Sequence, residues 1–300
     1  MRPEIMRYLE GAGLGWLAAL VPRPGLMYGI ALVILTLVFL RRARIAGLDN
    51  QRALEIVLFA AVGAVVGTRL FYLVTTGDLL RLDFLEWFNL SRGTASWGGY
   101  LGGIAGSVLY TTVTRIPVWA YLDTAASVVA LGPFVARWSC FLRGDDFGRV
   151  TDVSWAIQFP AGSLPWQAQV AGGLLPSTAE ASLAVHPFQL YLLVNGLVVF
   201  LILTAIWRRW RDRPGVTFGA FLLIYGATRF PWEFLRDPAA GGALPHDLLS
   251  TSQWMCLLLV AGGIVVLTTG TNRRRLETMV KHPHHDGFAI TGRRADVVDG

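Results

Sequence analysis

Long apolar blocks alternate with short arginine-bearing connections along this chain. Seven stretches, 26–40, 53–74, 96–113, 122–142, 188–207, 218–235 and 252–269, are apolar nearly throughout. A hydrocarbon core about 30 Å thick takes about 20 helical residues to cross, so each block predicts a membrane-spanning helix. The first reaches that length only with its flanks. Glycine punctuates the second and third blocks: Gly63 and Gly67 are four apart, and Gly98, Gly99, Gly102, Gly103 and Gly106 form two overlapping rows of small residues. Such rows let helix backbones approach closely in lipid, or leave room for a lipid headgroup against bare backbone. Gly132-Pro133 interrupts the fourth block midway. Proline lacks an amide donor and bends or stops a helix, and broken helices at membrane depth line protein or a water-filled cavity.

The prediction is an all-α integral membrane protein with about seven transmembrane helices. Residues 1–24 read as an interfacial lead-in, because the apolar run 14–21 is brief and followed by Pro22 and Pro24. Residues 25–271 read as one polytopic domain, and residues 272–300 as a polar cytoplasmic tail. Composition agrees: 54% of the 300 residues are hydrophobic and 15% charged, where a soluble domain carries about 25% charged. Arg41-Arg42-Ala43-Arg44, the run Arg208-Arg209-Trp210-Arg211-Asp212-Arg213 and Arg273-Arg274-Arg275 follow the first, fifth and seventh blocks. The alternate connections, including the longest at 143–187, are poorer in arginine. The positive-inside rule then puts the N-terminus outside and the C-terminus in the cytoplasm. The net charge of +6 is accounted for by topology, so no nucleic-acid partner is expected. The two cysteines, Cys140 and Cys256, lie in apolar blocks and exclude a disulfide framework. Histidines cluster at 282–285 without carboxylate or cysteine partners at fixed spacing, so no metal site and no cofactor are expected.

Three arginines stand deep in the apolar blocks: Arg69, Arg137 and Arg229. An arginine at the bilayer centre costs roughly 2.5–3.5 kcal/mol on insertion scales, so three of them point to an anion handled between helices. No nucleophile elbow, zinc motif or phosphate loop accompanies them. Under the topology above, the outer ends of six blocks carry Tyr28-Gly29, Gly67-Thr68-Arg69, Ser96-Trp97-Gly98-Gly99, Arg137 to Arg149, His186-Pro187-Phe188-Gln189-Leu190-Tyr191, and Tyr225 to Glu233. Charged groups converging at one depth describe a site for a lipid headgroup.

This constellation resembles the prolipoprotein diacylglyceryl transferase family over most of residues 25–270. The likeness is densest from Arg137 to Pro160, with Gly144-Asp145, Gly148-Arg149, Thr151-Asp152, Trp155-Ala156 and Phe159-Pro160, and is reinforced by the elements at 186–191 and 225–229. The resemblance implies a multi-pass protein of the bacterial plasma (inner) membrane. It implies transfer of a diacylglyceryl group from phosphatidylglycerol to the lipobox cysteine of a prolipoprotein, whose signal peptide is then a partner alongside membrane lipid. Arg137 and Arg229 match the family's principal arginines and become the catalytic candidates. A guanidinium donates two coplanar hydrogen bonds to phosphate, and preorganised cations lower a barrier where negative charge develops. Tyr28, Arg69, Asp145, Gly148, His186, Tyr225 and Glu233 are the substrate-binding candidates, with Glu233 one helical turn beyond Arg229.

Four positions depart from the family pattern. Trp97 stands where the family has histidine, Cys140 where it has asparagine, Asp145 where glutamate is common, and Leu192 where glutamate commonly follows Leu-Tyr. Tryptophan cannot accept a proton, so His186, or a Cys140 thiolate near Arg137, are alternative sources of reactivity. A phospholipid-dependent transferase with another acceptor and a non-catalytic lipid-binding homologue are the competing readings.

Overall fold

A computed structural model describes residues 24–77, 96–241 and 248–281, with no side-chain detail from 270 onward or for Pro24, Gly25, Met27, Tyr28 and Ser96. The lead-in at 1–23, the connection at 78–95 and the tail beyond residue 281 lie outside the described residues. Helix α1 spans Pro24–Ile45 and α2 Asn50–Thr76. The side chain of Asp49 caps α2 by accepting from the Gln51 amide at 2.8 Å, and Gly77 ends it in the left-handed conformation. Helix α3 is Ser96–Val113, and the fourth block forms two helices, α4 at Val118–Val129 and α5 at Gly132–Arg143. Pro133 sits in the first turn of α5, where its missing amide breaks no bond. Helix α6, Leu164–Ala171, lies in the long connection. Helix α7 is Phe188–Trp210 and α8 Val216–Trp232, the latter followed by a 3₁₀ turn at Glu233–Leu235; helix α9 is Thr251–Lys281.

The fold is all-helical; among the described residues the only β-type pairs are isolated bridges. Among the described residues, four segments are long and apolar enough to cross a membrane: Asn50–Thr76, Val118–Arg143, Phe188–Trp210 and Thr251–Thr269. Many large apolar side chains, among them Leu58, Val62, Val66, Leu201, Leu258 and Val265, face outward, as expected where lipid is the solvent.

The glycine rows act as packing surfaces. A methyl group on Gly63 would overlap the Gly102 carbonyl, one on Gly67 that of Gly98, and one on Gly106 that of Phe59, so α2 and α3 touch backbone to backbone. Gly196 of α7 admits Pro133, whose Cβ would lie 2.8 Å from an added methyl, which seats α7 against the break between α4 and α5. Gly226 and Gly263 close α8 onto α9 in the same way. Asp123 of α4 is buried and accepts from the amides of Gly215 and Phe218, both at 2.7 Å. It thereby caps the start of α8 from a neighbouring helix.

The connection at 143–187 forms a small layer of its own. Bridges pair Gly148 with Arg236, Val150 and Ile157 with Val185, and Pro160 with Ala181. Phe159 is fully buried there, and the buried Gln169 of α6 accepts from the Leu183 amide at 2.7 Å.

Candidate functional site

The end of α5 delivers the first site residue. Arg137 points from the last turns of this helix, and Gly144 then reverses the chain at φ 74°, a conformation glycine adopts at no steric cost. Two residues on, Asp146 takes φ 59°, unusual outside glycine though tolerated by aspartate. Its carboxylate pairs with Arg137 on one side and Arg236 on the other. Arg236, just beyond α8, also pairs with Glu233 at 3.0 Å, and Glu233 pairs with Arg229 at 2.5 Å. Three guanidiniums and two carboxylates thus form one chain, Arg137–Asp146–Arg236–Glu233–Arg229. Arg229 and Glu233 are 4% and 1% exposed. The Phe188 ring at the start of α7 lies 5.3 Å from the Arg229 guanidinium carbon and 5.9 Å from that of Arg236.

Tyr225, one turn before Arg229, is buried and stacks on Phe221. Arg137 and Arg229 both act on it electrostatically, as does Tyr100 of α3. Tyr225, Tyr100 and Trp97 also line a cavity of about 320 Å³ that continues between α1, α2, α4 and α8 past Leu35, Phe39 and Ile56. Tyr225, one turn before Arg229, contributes to this lining, most of which is aliphatic and aromatic.

The other expected residues fall in different surroundings. Asp145 pairs with Arg143 at 2.5 Å, and burial raises its carboxyl above the usual range against the pull of Arg143 and Arg137. The Gln189 amide holds its backbone carbonyl at 2.6 Å. Gly148 serves backbone approach: an added methyl would lie 2.6 Å from both Cβ and O of His186 and 2.9 Å from the Leu235 carbonyl. The His186 ring turns to the Tyr191 hydroxyl at 3.1 Å, which also accepts from Trp155 at 2.6 Å, and partial burial lowers its pKa. Arg69 is buried on α2, its guanidinium carbon 5.4 Å from the Tyr72 ring. The Tyr28 side chain lies outside the described residues. Trp97 donates to Ser252 of α9 at 3.3 Å. Cys140 is buried, its sulfur 3.8 Å from the Arg137 guanidinium.

Sequence reasoning passed over Asp146 and Arg236. Arg236 carries a local signal, since it stands three residues after Glu233 and one short turn joins them. Asp146 carries none that separates it from Asp145: only the reversal at Gly144 decides which carboxylate turns toward Arg137.

The prolipoprotein diacylglyceryl transferase family pattern matches residues 22–269. A phosphatidylglycerol–prolipoprotein diacylglyceryl transferase of Stenotrophomonas maltophilia is 34% identical over 237 residues, 75% of this chain and 78% of the relative. Proteins of the same name from Rhodospirillum rubrum and Pseudoalteromonas translucida are 32% and 30% identical, each covering 79% of this chain and 82% of the relative.

Proposed function

Because the chain belongs to the prolipoprotein diacylglyceryl transferase family, we propose that it transfers a diacylglyceryl group from phosphatidylglycerol to the lipobox cysteine of a prolipoprotein. The observation that carries this reading is the chain of ion pairs Arg137–Asp146–Arg236–Glu233–Arg229, with Tyr225, one turn before Arg229, in the lining of an apolar cavity. The acceptor thiol loses its proton to water, and its sulfur attacks the terminal glycerol carbon of the diacylglyceryl unit. The bond from that carbon to the phosphate oxygen breaks, both electrons stay on the oxygen, and glycerol phosphate leaves. Arg137 and Arg229 act where that charge gathers. Fixed donors aimed at a developing anion account for much of the rate in such steps. Tyr225 orients the headgroup, and the cavity past Leu35 and Phe39 takes an acyl chain. Glu233 holds Arg229 in place, while Gly148 and Asp145 keep the turn after α5 against the ladder. His186, Arg69 and Tyr28 serve to receive the headgroup or the signal peptide.

The same reading includes seven spans, an outer N-terminus, a cytoplasmic tail and multi-pass residence in the bacterial plasma membrane. The apolar helices and the arginine runs at alternate connections support it. The test is release of glycerol phosphate from phosphatidylglycerol vesicles when a lipobox peptide is added to purified protein, with the peptide gaining the lipid mass. One observation favours a second reading. Trp97 occupies the position where a proton acceptor is expected, and its N–H is committed to Ser252, as a non-catalytic lipid-binding homologue would allow. Phosphatidylglycerol binding without peptide modification, in the parent and in Trp97→His alike, would select that reading.

A further inference from the structure

We propose that Asp146 is a counter-charge that matches the guanidinium chain to a phosphodiester monoanion and disfavours the phosphomonoester dianion that transfer leaves behind. The proposal rests on the transferase reading for its ligands. Arg137, Arg229 and Arg236 against Asp146 and Glu233 leave one net positive charge. The two carboxylates are not equivalent. The Glu233 side chain is wholly buried between Arg229 and Arg236, whereas Asp146 and its partner Arg137 keep 14% and 21% exposure. Asp146 therefore lies in the more accessible part of the chain of ion pairs, between Arg137 and Arg236, which are 21% and 17% exposed.

The backbone holds it there. The reversal at Gly144 and the left-handed Asp146 turn the carboxylate back between Arg137, on α5, and Arg236, beyond α8. The first of the bridges that hold the 143–187 connection lies two residues later, between Gly148 and Arg236. An oxyanion is thus already seated where two guanidiniums from separate elements meet. The phosphate of a diacyl donor carries one negative charge and brings the cluster to neutrality. When the carbon–oxygen bond breaks, the electrons left on oxygen make the phosphate a monoester, which carries close to two charges at pH 8 because its second pKa is about 6. Within the chain Arg137–Asp146–Arg236–Glu233–Arg229 that second charge meets no unmatched cation, and the Asp146 carboxylate repels it. Product release is favoured without weakening capture of the donor.

The experiment is calorimetric titration of the purified full chain in detergent at pH 8 with two soluble probes: glycerophosphoglycerol, a phosphodiester, and glycerol phosphate, a monoester. The parent binds the diester at least as tightly as the monoester. Asp146→Asn, which keeps shape and removes charge, tightens the monoester by about tenfold or more and changes the diester by less than about threefold. Asp146→Glu keeps the parental ratio. Arg236→Gln, which removes a cation instead, moves the ratio in the opposite sense, so the idea stays exposed even where Asp146→Asn does not fold. An unchanged ratio in both charge-altering variants, equal weakening of both probes, or a parent that binds neither probe overturns the proposal. Absence of peptide modification by a parent showing the stated ratios removes the transferase reading and leaves the charge match. Normal modification with unchanged ratios does the reverse.

Discussion

Arg137 and Arg229 reach the same neighbourhood by different means. Arg137 relies on Asp146, a partner beyond the end of its helix, and stays partly open. Arg229 is packed between Glu233 and the Phe188 ring and is almost wholly enclosed. On the proposed mechanism, removing either guanidinium takes a fixed donor from the departing phosphate, a loss of about 10²–10³ in kcat on the oxyanion-hole precedent. Arg137→Ala and Arg229→Ala are therefore expected to leave transfer to a lipobox peptide close to background, and Arg137→Lys to fail as well, since a single ammonium cannot make a planar two-point contact. Full activity in Arg137→Ala would overturn the assignment. Trp97→His is expected to keep or raise turnover. General acid–base help is worth about 10²–10⁴-fold, yet a thiol of pKa near 8.5 already supplies some thiolate. A silent parent made active by that change would show that the base alone is missing.

At the scale of elements, the site is where three segments meet: the turn after α5, the start of α7 and the 3₁₀ turn after α8. Gly148 is the pin between them, because its backbone passes between His186 and Leu235 with no room for a side chain. Gly148→Ala is expected to cost about 1–3 kcal/mol through overpacking and to lower the thermal midpoint in detergent, whereas Arg137→Ala should lose activity with a much smaller shift. Equal midpoints for Gly148→Ala and the parent would remove the pin. Asp123 does a comparable task at the far end of α8. Asp123→Ala would strip the amides of Gly215 and Phe218 of their acceptor, at about 1–3 kcal/mol for each buried group left unsatisfied. The measurement is the same melting experiment, and retention of the parental midpoint would show that another group can cap this helix.

For the whole molecule, orientation is the property most open to direct measurement. Cys140 and Cys256 are buried, so new cysteines at Ser177 and Arg211 report cleanly with a membrane-impermeant maleimide. Ser177→Cys should label from the outer face of intact cells, and Arg211→Cys only after the inner face is opened. Labelling in the reverse pattern would overturn the proposed orientation and place the arginine chain in the inner half of the bilayer.

The helices were legible because the bilayer imposes a length and a polarity on each crossing, and both are written locally. The described helices keep to the apolar blocks within a few residues at most boundaries. The restart at Gly132 was equally readable, since proline's missing amide is a property of one residue. Arg137, Arg229 and Glu233 stood out because charge in an apolar block is costly wherever the chain goes next. Local sequence could not say which carboxylate each arginine would meet. Asp145 and Asp146 are adjacent and chemically alike, and only the left-handed turn at Gly144 sends one to Arg143 and the other between Arg137 and Arg236. It also could not say that glycines far apart in sequence would touch, as Gly63 does with Gly102 and Gly67 with Gly98 across the α2–α3 pair. Pairings of this kind depend on how helices distant in sequence pack, which emerges only when all of them close around the same space.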